Sequence, residues 1–188
     1  SVSTIGFDTS NYTTSTAWTD GKTDINVRQI LYVKDGERGI RQSDGVFQHM
    51  KLMPVMYEKL SEQIDFKDVK AVGVSTRPRC VEGSYMPVFL AGEGYAKVVA
   101  NTVGVPLYEF SHQDGHIMAG IYSSGSFELL ENDFISVHLS GGTTEILKSR
   151  YNGFNFDNEI IGGSKDISAG QFIDRVGVKM GLHFPAGK

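Results

Sequence analysis

Cysteine is nearly missing from this chain of 188 residues, where Cys80 stands alone. A single cysteine excludes an internal disulfide and every CxxC zinc or redox pattern, and it fits a reducing compartment. No apolar run approaches the length needed to cross a bilayer. The opening SVSTIGFDTS carries neither a basic segment nor a long apolar one, so no secretory leader is visible and a cytoplasmic protein with no membrane partner is expected. Blocks of Lys or Arg are also lacking, and the net charge is -4. Tight non-specific binding of phosphate backbones is therefore a poor expectation, and a role on nucleic acid would need another segment or a partner. No internal repeat or low-complexity linker stands out. What remains is ordinary globular material, 40% hydrophobic and 21% charged, long enough for one domain or one lobe of something larger.

The pattern along the chain is of mixed α/β type. STIGFD and NYTTSTAWTD read as two strands, DGKTD supplies turn chemistry, and INVRQILYV reads as a third strand. Val46, Met50, Met53, Tyr57, Leu60 and Ile64 then recur at steps of three and four, giving one apolar helix face. Pro54 should kink that helix unless the helix starts late. VKAVGVS reads as a buried strand, STRPRCVEGSYMP as a loop, and residues 91–103 as a helix stopped by Gly104 and Pro106. PLYEF leads into FSHQDGHIMAGIYSSG. FISVHLS is a strand, SGGTTEI a glycine turn into another, YNGF a hairpin signal, and residues 166–181 a last helix. Met50, Met53 and Met56 read as packing residues. The order of three strands, a helix, then alternating strands and helices predicts the ribonuclease H-like lobe of the actin-like ATPase superfold, a mixed sheet flanked by helices. The chain stops abruptly at FPAGK, so residues 1–188 are expected to form a single N-terminal lobe of a two-lobed protein whose second lobe lies outside them.

Several segments can carry chemistry, and each has a plainer alternative. His112 and His116 lie four residues apart, so on a helix they offer two imidazoles to one ion. HxxxH also recurs by accident, and the HExxH glutamate is missing, so spacing alone leaves surface or capping histidines open. Asp114 projects to a different face. HLSGGTTEI sets two glycines between strands, a turn in which backbone N–H groups can approach phosphate or carboxylate, or simply a hairpin. Asp8 and the hydroxyls after it, in GFDTSNYTTS, suit a hydrated cation or phosphate, or ordinary turn chemistry. Asp166, Gly170 and Asp174 fall along one side of the expected last helix, an arrangement for which a solvated face is the commoner meaning. Cys80 has no visible partner that would activate it. His49, His138 and His183 receive no role from spacing.

Taken in this order, IGFDTS, SHQDGHIMAG, VHLSGGTTEIL and IGGSKDISAGQFIDRVGVKMGLHFPAGK resemble the family of threonylcarbamoyladenosine transferases of tRNA, long called glycoproteases or O-sialoglycoprotein endopeptidases. The resemblance covers most of the chain and about the first half of the family's length. It implies an actin-like fold and transfer of a threonylcarbamoyl group from an ATP-derived adenylate to an adenine N6 of tRNA. It further implies one divalent metal, iron or zinc, on His112 and His116. The stretch His138, Leu139, Ser140, Gly141 and Gly142 would hold the adenylate and threonylcarbamoyl moieties, with Asp174 and Gly187 on the nucleoside. Asp8, Thr9, Arg77 and Arg79 are further candidates for a nucleotide or phosphate. Implied partners are an adenylate, tRNA through the intact protein or a complex, and a related subunit of the modification system.

The chain also departs from that pattern. Thr143 follows the Ser-Gly-Gly turn where the family has histidine. Ile167 and Gln171 stand where it has acids, and STRPRCVEGSYMP replaces its glycine-proline-glycine loop. Two arginines there can clamp a phosphate or carboxylate, so the ligand can differ. These departures keep three alternatives in view: a non-catalytic partner subunit, a carbamoyl transferase with another acceptor, and a metallopeptidase. The last lacks any HExxH, Ser-His-Asp order or paired carboxylates to support it.

Overall fold

The structure is a computed structural model in which residues 1–186 are described. The chain divides into two compact units, Ser1–His116 and Ile117–Lys188. The first is built on a five-stranded sheet. β1 (Ser3–Asp8), β2 (Thr13–Thr19) and β3 (Asp24–Ile30) form an antiparallel meander, and β4 (Val69–Arg77) and β5 (Leu107–Ser111) continue it in parallel on the far side of β1. The resulting order is β3-β2-β1-β4-β5. Parallel neighbours need long crossovers, and these carry the helices α1 (Gln42–Ser61) and α2 (Phe89–Val103). The helix α3 (His112–Ser124) follows β5 without an intervening loop. β1 buries alternate side chains, Ser3, Ile5 and Phe7, as a strand with one covered face must. Ile5, Phe7, Val69, Val72 and Val74 meet Met53 and Leu60 of α1 and Ala96 and Ala100 of α2 in the core.

Two expectations about α1 need correction. The helix begins at Gln42 and runs through Pro54 to Ser61. Proline has no N–H for the carbonyl four residues earlier, and that carbonyl, on Met50, instead accepts a hydrogen bond from the Tyr95 hydroxyl at 2.8 Å. A side chain of α2 thus replaces the missing backbone bond. The buried face holds Met53 and Leu60 as expected, with Tyr57 and Ile64 packed against the core, but it also takes in Gly45, His49 and Met56, while Met50 is 46% exposed. A histidine occupies a core position because both its nitrogens find partners. Thr14 Oγ1 lies 2.7 Å from Nδ1 and the Asn11 carbonyl 3.2 Å from Nε2. α2 starts two residues earlier than expected and ends at Gly104, whose φ of 77° gives the left-handed cap that glycine adopts freely.

The second unit holds an antiparallel sheet of β6 (Phe134–Leu139), β7 (Thr144–Tyr151) and β8 (Phe156–Gly163), followed by α4 (Ala169–Lys179). Leu147 and Phe156 are buried, and Phe134 meets Phe156 edge to face at 5.9 Å. α4 starts at Ala169, later than expected, because Ser168 caps it. Its side chain accepts from the Gln171 N–H, and the Gln171 side chain accepts from the Ser168 N–H. Asp166 therefore lies outside the helix and does not share a helix side with Asp174. A three-stranded meander followed by a helix occurs in both units, a topological repetition with no sequence repeat behind it.

Candidate functional site

In the first unit the carboxyl ends of the parallel strands β1, β4 and β5 lie at one sheet edge, where ligands of open α/β sheets bind. β1 ends on Asp8, β4 on Ser75 to Arg77, and β5 on Ser111, which caps α3. Ser111 Oγ donates to Asp114 Oδ2 at 2.6 Å, and the Asp114 N–H donates back to Ser111 Oγ at 3.0 Å. This reciprocal cap satisfies the first turn and occupies Asp114. It also fixes where His112, the first helical residue, points.

Asp8 is bonded at both carboxylate oxygens. Oδ1 accepts from the Ser10 N–H at 2.8 Å, and Oδ2 accepts from Ser75 Oγ at 2.6 Å and from His112 Nδ1 at 2.8 Å. Burial alone would raise this carboxyl. The bond and charge of His112, with the Ser10 and Ser75 bonds, outweigh burial and hold it well below the ordinary carboxylate range. Asp8 is therefore ionised and accepts only, which places the proton on His112 Nδ1. Ser10 Oγ also lies 2.9 Å from that nitrogen. His112 Nε2 faces His116 Nε2 at 2.7 Å, and in a neutral His112 it carries the lone pair that a metal would take.

That arrangement fits a divalent metal. Imidazoles bind through unprotonated nitrogens, and an oriented ligand histidine donates its other N–H to a carboxylate, as His112 does to Asp8. Two such nitrogens around a tetrahedral metal sit about 3.3 Å apart, so the rings need open by only about half an ångström. The pair offers two ligands. Among the described residues no group of three or more His, Cys, Asp or Glu converges on one point, so further ligands would be water or groups from outside the chain.

Three other expected residues lie at the same edge. The Thr9 side chain is fully buried: its hydroxyl donates to the Val88 carbonyl at 2.8 Å and accepts from the Gly92 N–H at 3.0 Å. It locks β1 to α2 and has no exposed atom for a nucleotide, contrary to expectation. Arg77 pairs in register with Ser111. Its guanidinium donates to Thr76 Oγ1 at 3.1 Å and to Cys80 Sγ at 3.4 Å. The Arg79 N–H donates to Ser84 Oγ. Sequence reading missed Ser75 and Ser111, and placed Ser10 only among the hydroxyls that follow Asp8. Only Ser111 had a local signal, the S-x-x-D of SHQD.

In the second unit, His138 and Leu139 end β6, with His138 opposite Glu145. Ser140 closes the turn on itself: its hydroxyl accepts from the Gly142 N–H at 3.3 Å and the Thr143 N–H at 2.9 Å. Those two N–H groups, expected to face a ligand, are turned inward. Gly141 and Gly142 have nothing within 4 Å of an added Cβ, so the chain's own packing does not require glycine there. The first turn of α4 docks on this turn. Ser168 Oγ donates to the Gly141 carbonyl at 3.1 Å and the Ala169 N–H to Thr144 Oγ1 at 2.6 Å. Asp174 Oδ1 accepts from the Ala186 N–H at 2.8 Å. Gly187 lies outside the described residues.

The 3-2-1-4-5 sheet, with its antiparallel meander and two parallel strands, defines the ribonuclease H-like lobe of the actin-like ATPase class. YeaZ from Pseudomonas aeruginosa has this fold, with a TM-score of 0.51 at 10% identity over 90% of this chain and 68% of that one. EutJ, an ethanolamine utilization protein from Carboxydothermus hydrogenoformans, matches with a TM-score of 0.53 at 16% identity over 98% of this chain and 59% of that one. The family model of TsaD, the tRNA N6-adenosine threonylcarbamoyltransferase, matches residues 37–188, and the chain belongs to that family. Curated members include those of Christiangramia forsetii, 31% identical over 72% of this chain and 38% of theirs, and of Lactobacillus acidophilus, 35% identical over 70% and 34%. The chain thus spans little more than a third of the length of these relatives.

Proposed function

We propose that this chain supplies the metal-holding part of a carbamoyl-type transferase, which moves a threonylcarbamoyl or related group from an adenylate to an adenine N6 of tRNA. The observation that carries the reading is the facing pair of Nε2 atoms on His112 and His116, one of them oriented by an ionised Asp8. These residues would hold iron or zinc, which when bound supplies a Lewis acid for a carbonyl oxygen. Asp8 keeps the Nδ1 tautomer of His112 and so keeps Nε2 available. Ser75 and Ser10 hold Asp8 in turn. The reaction needs no nucleophile from the protein: the acceptor amine attacks the carbamoyl carbonyl, and AMP leaves with the bonding electron pair. The turn from His138 to Gly142, with Asp174 and Gly187, is assigned to the adenylate and nucleoside. We further assign the 188 residues to one part of a longer, two-lobed protein, since the match spans 38% of a relative's length.

A second reading has its own support. Two N–H groups of the Ser-Gly-Gly turn are bonded to Ser140, Gln171 is a capping residue, and Asp174 is tied to Ala186. Groups committed in this way suit a non-catalytic partner of the modification system. The test is metal content after loading with iron and with zinc, for wild type and His112→Ala. About one ion per wild-type chain, lost in the variant, supports the first reading. Equal content in both sinks it, and no metal in either together with stable binding to a transferase of the family supports the second.

A further inference from the structure

The register of β4 against β5 slips beside the histidines. Ser75 lies opposite Phe110 but Arg77 lies opposite Ser111, so two residues of β4 span one step of β5. Such a bulge re-aims the side chains next to it. On one side of it Ser75 reaches Asp8. On the other, the Gln113 N–H of α3 donates to the Pro78 carbonyl at 3.0 Å, which fastens the residue after Arg77 to the first turn of the histidine helix. The backbone of Arg77 is thus held opposite Ser111, next to the start of the histidine helix, by a strand register before it and a backbone bond after it.

The Arg77 guanidinium is half-buried, and its acceptors, Thr76 Oγ1 and Cys80 Sγ, are neutral. Among the described residues no carboxylate lies within ion-pair distance of it, and both oxygens of Asp8 are already bonded. A guanidinium carries five donors in a rigid fork suited to a planar or tetrahedral oxyanion. We propose that Arg77 binds an anionic oxygen group, phosphate or carboxylate, of the ligand seated at the histidine pair. The inference rests on the proposed reading of that pair as a ligand-holding centre and adds the chemical class of what sits beside it.

The test uses the whole chain and two matched probe pairs: AMP with adenosine, and N-carbamoyl-threonine with its amide. Cys80 is the sole cysteine, is exposed, and touches Arg77, so its alkylation rate with iodoacetamide reports occupancy without a mutation. One anionic probe should slow alkylation in wild type. Arg77→Gln should weaken that probe by about 10- to 100-fold, the range of a hydrogen bond to a charged group, leave its neutral counterpart unchanged, and leave metal content unchanged. Arg77→Lys should recover part of the loss. Dependence of AMP on Arg77 identifies a phosphate, and dependence of carbamoyl-threonine a carboxylate. Equal binding of both anions by wild type and Arg77→Gln overturns the proposal, as does failure of both to protect Cys80. Absence of metal with Arg77-dependent anion binding intact would sink the metal reading alone.

Discussion

Replacing Gly170 by alanine should unseat α4 from the Ser-Gly-Gly turn. A Cβ built there would come 2.2 Å from the Ser140 carbonyl oxygen and 2.6 Å from Gly141 Cα, whereas such contacts are not found below 3.0 Å. Both neighbours are backbone, and the turn is pinned by the Ser140 N–H on the Thr143 carbonyl at 2.8 Å, so no flexible end can give way. The helix has to move by about an ångström, which strains or breaks the two bonds that dock it, from Ser168 Oγ and the Ala169 N–H. Those are together about 1–3 kcal/mol, similar to the usual cost of overpacking. Alanine returns at most about 1 kcal/mol through its helix propensity, leaving a net loss of up to about 2 kcal/mol. Gly120 of α3 has nothing within 4 Å of an added Cβ, so Gly120→Ala should stabilise its helix by up to about 1 kcal/mol. The two substitutions are chemically identical and differ in sign. Trp18, the only tryptophan, lies in the first unit, so its fluorescence is blind to this event. Hydrogen exchange is the suitable assay, and amides of α4 in Gly170→Ala should exchange faster, by up to about 30-fold. Unchanged or slower exchange there would refute the close approach.

Other substitutions probe the first unit. Thr9→Val keeps the shape but strands the Gly92 N–H and the Val88 carbonyl; urea unfolding followed by Trp18 should show a loss of about 1–3 kcal/mol. Asp8→Asn removes the anion that fixes His112 and should weaken zinc binding about 10- to 100-fold, read by competition with a chelator. Burial holds the His49 imidazole below its ordinary 6.5, against the opposing Asn11 bond and Asp8 charge. The unfolded chain therefore binds the extra proton first, and stability should fall as pH drops below 6.5. The slope is at most about 1.4 kcal/mol per pH unit, and His49→Gln should flatten it in unfolding curves taken at a series of pH values.

Much of the fold was legible because its cues are short-ranged. The alternation in STIGFD, the glycine and proline after α2, and the i, i+4 spacing of His112 and His116 all express backbone periodicities that a short window contains. The errors have a common origin in partners far along the chain. His49 was not expected on the buried face of α1 because a histidine counts as polar until Thr14 and the Asn11 carbonyl are placed around it. A kink or a late start was expected at Pro54 because the hydroxyl that replaces its N–H belongs to Tyr95, on another helix. The late start of α4 did have a local signal, Ser168 three residues before Gln171.

The sequence by itself determined that two imidazoles share one helix face and that an acid ends the first strand, since helix pitch and strand polarity need no tertiary information. Only the tertiary structure decided that this acid holds that imidazole, 104 residues away, that Thr9 is a packing group, and that Gly170 has to lack a side chain. Strand order brings these groups together, and strand order follows from burial of the whole sheet, a property no local window contains.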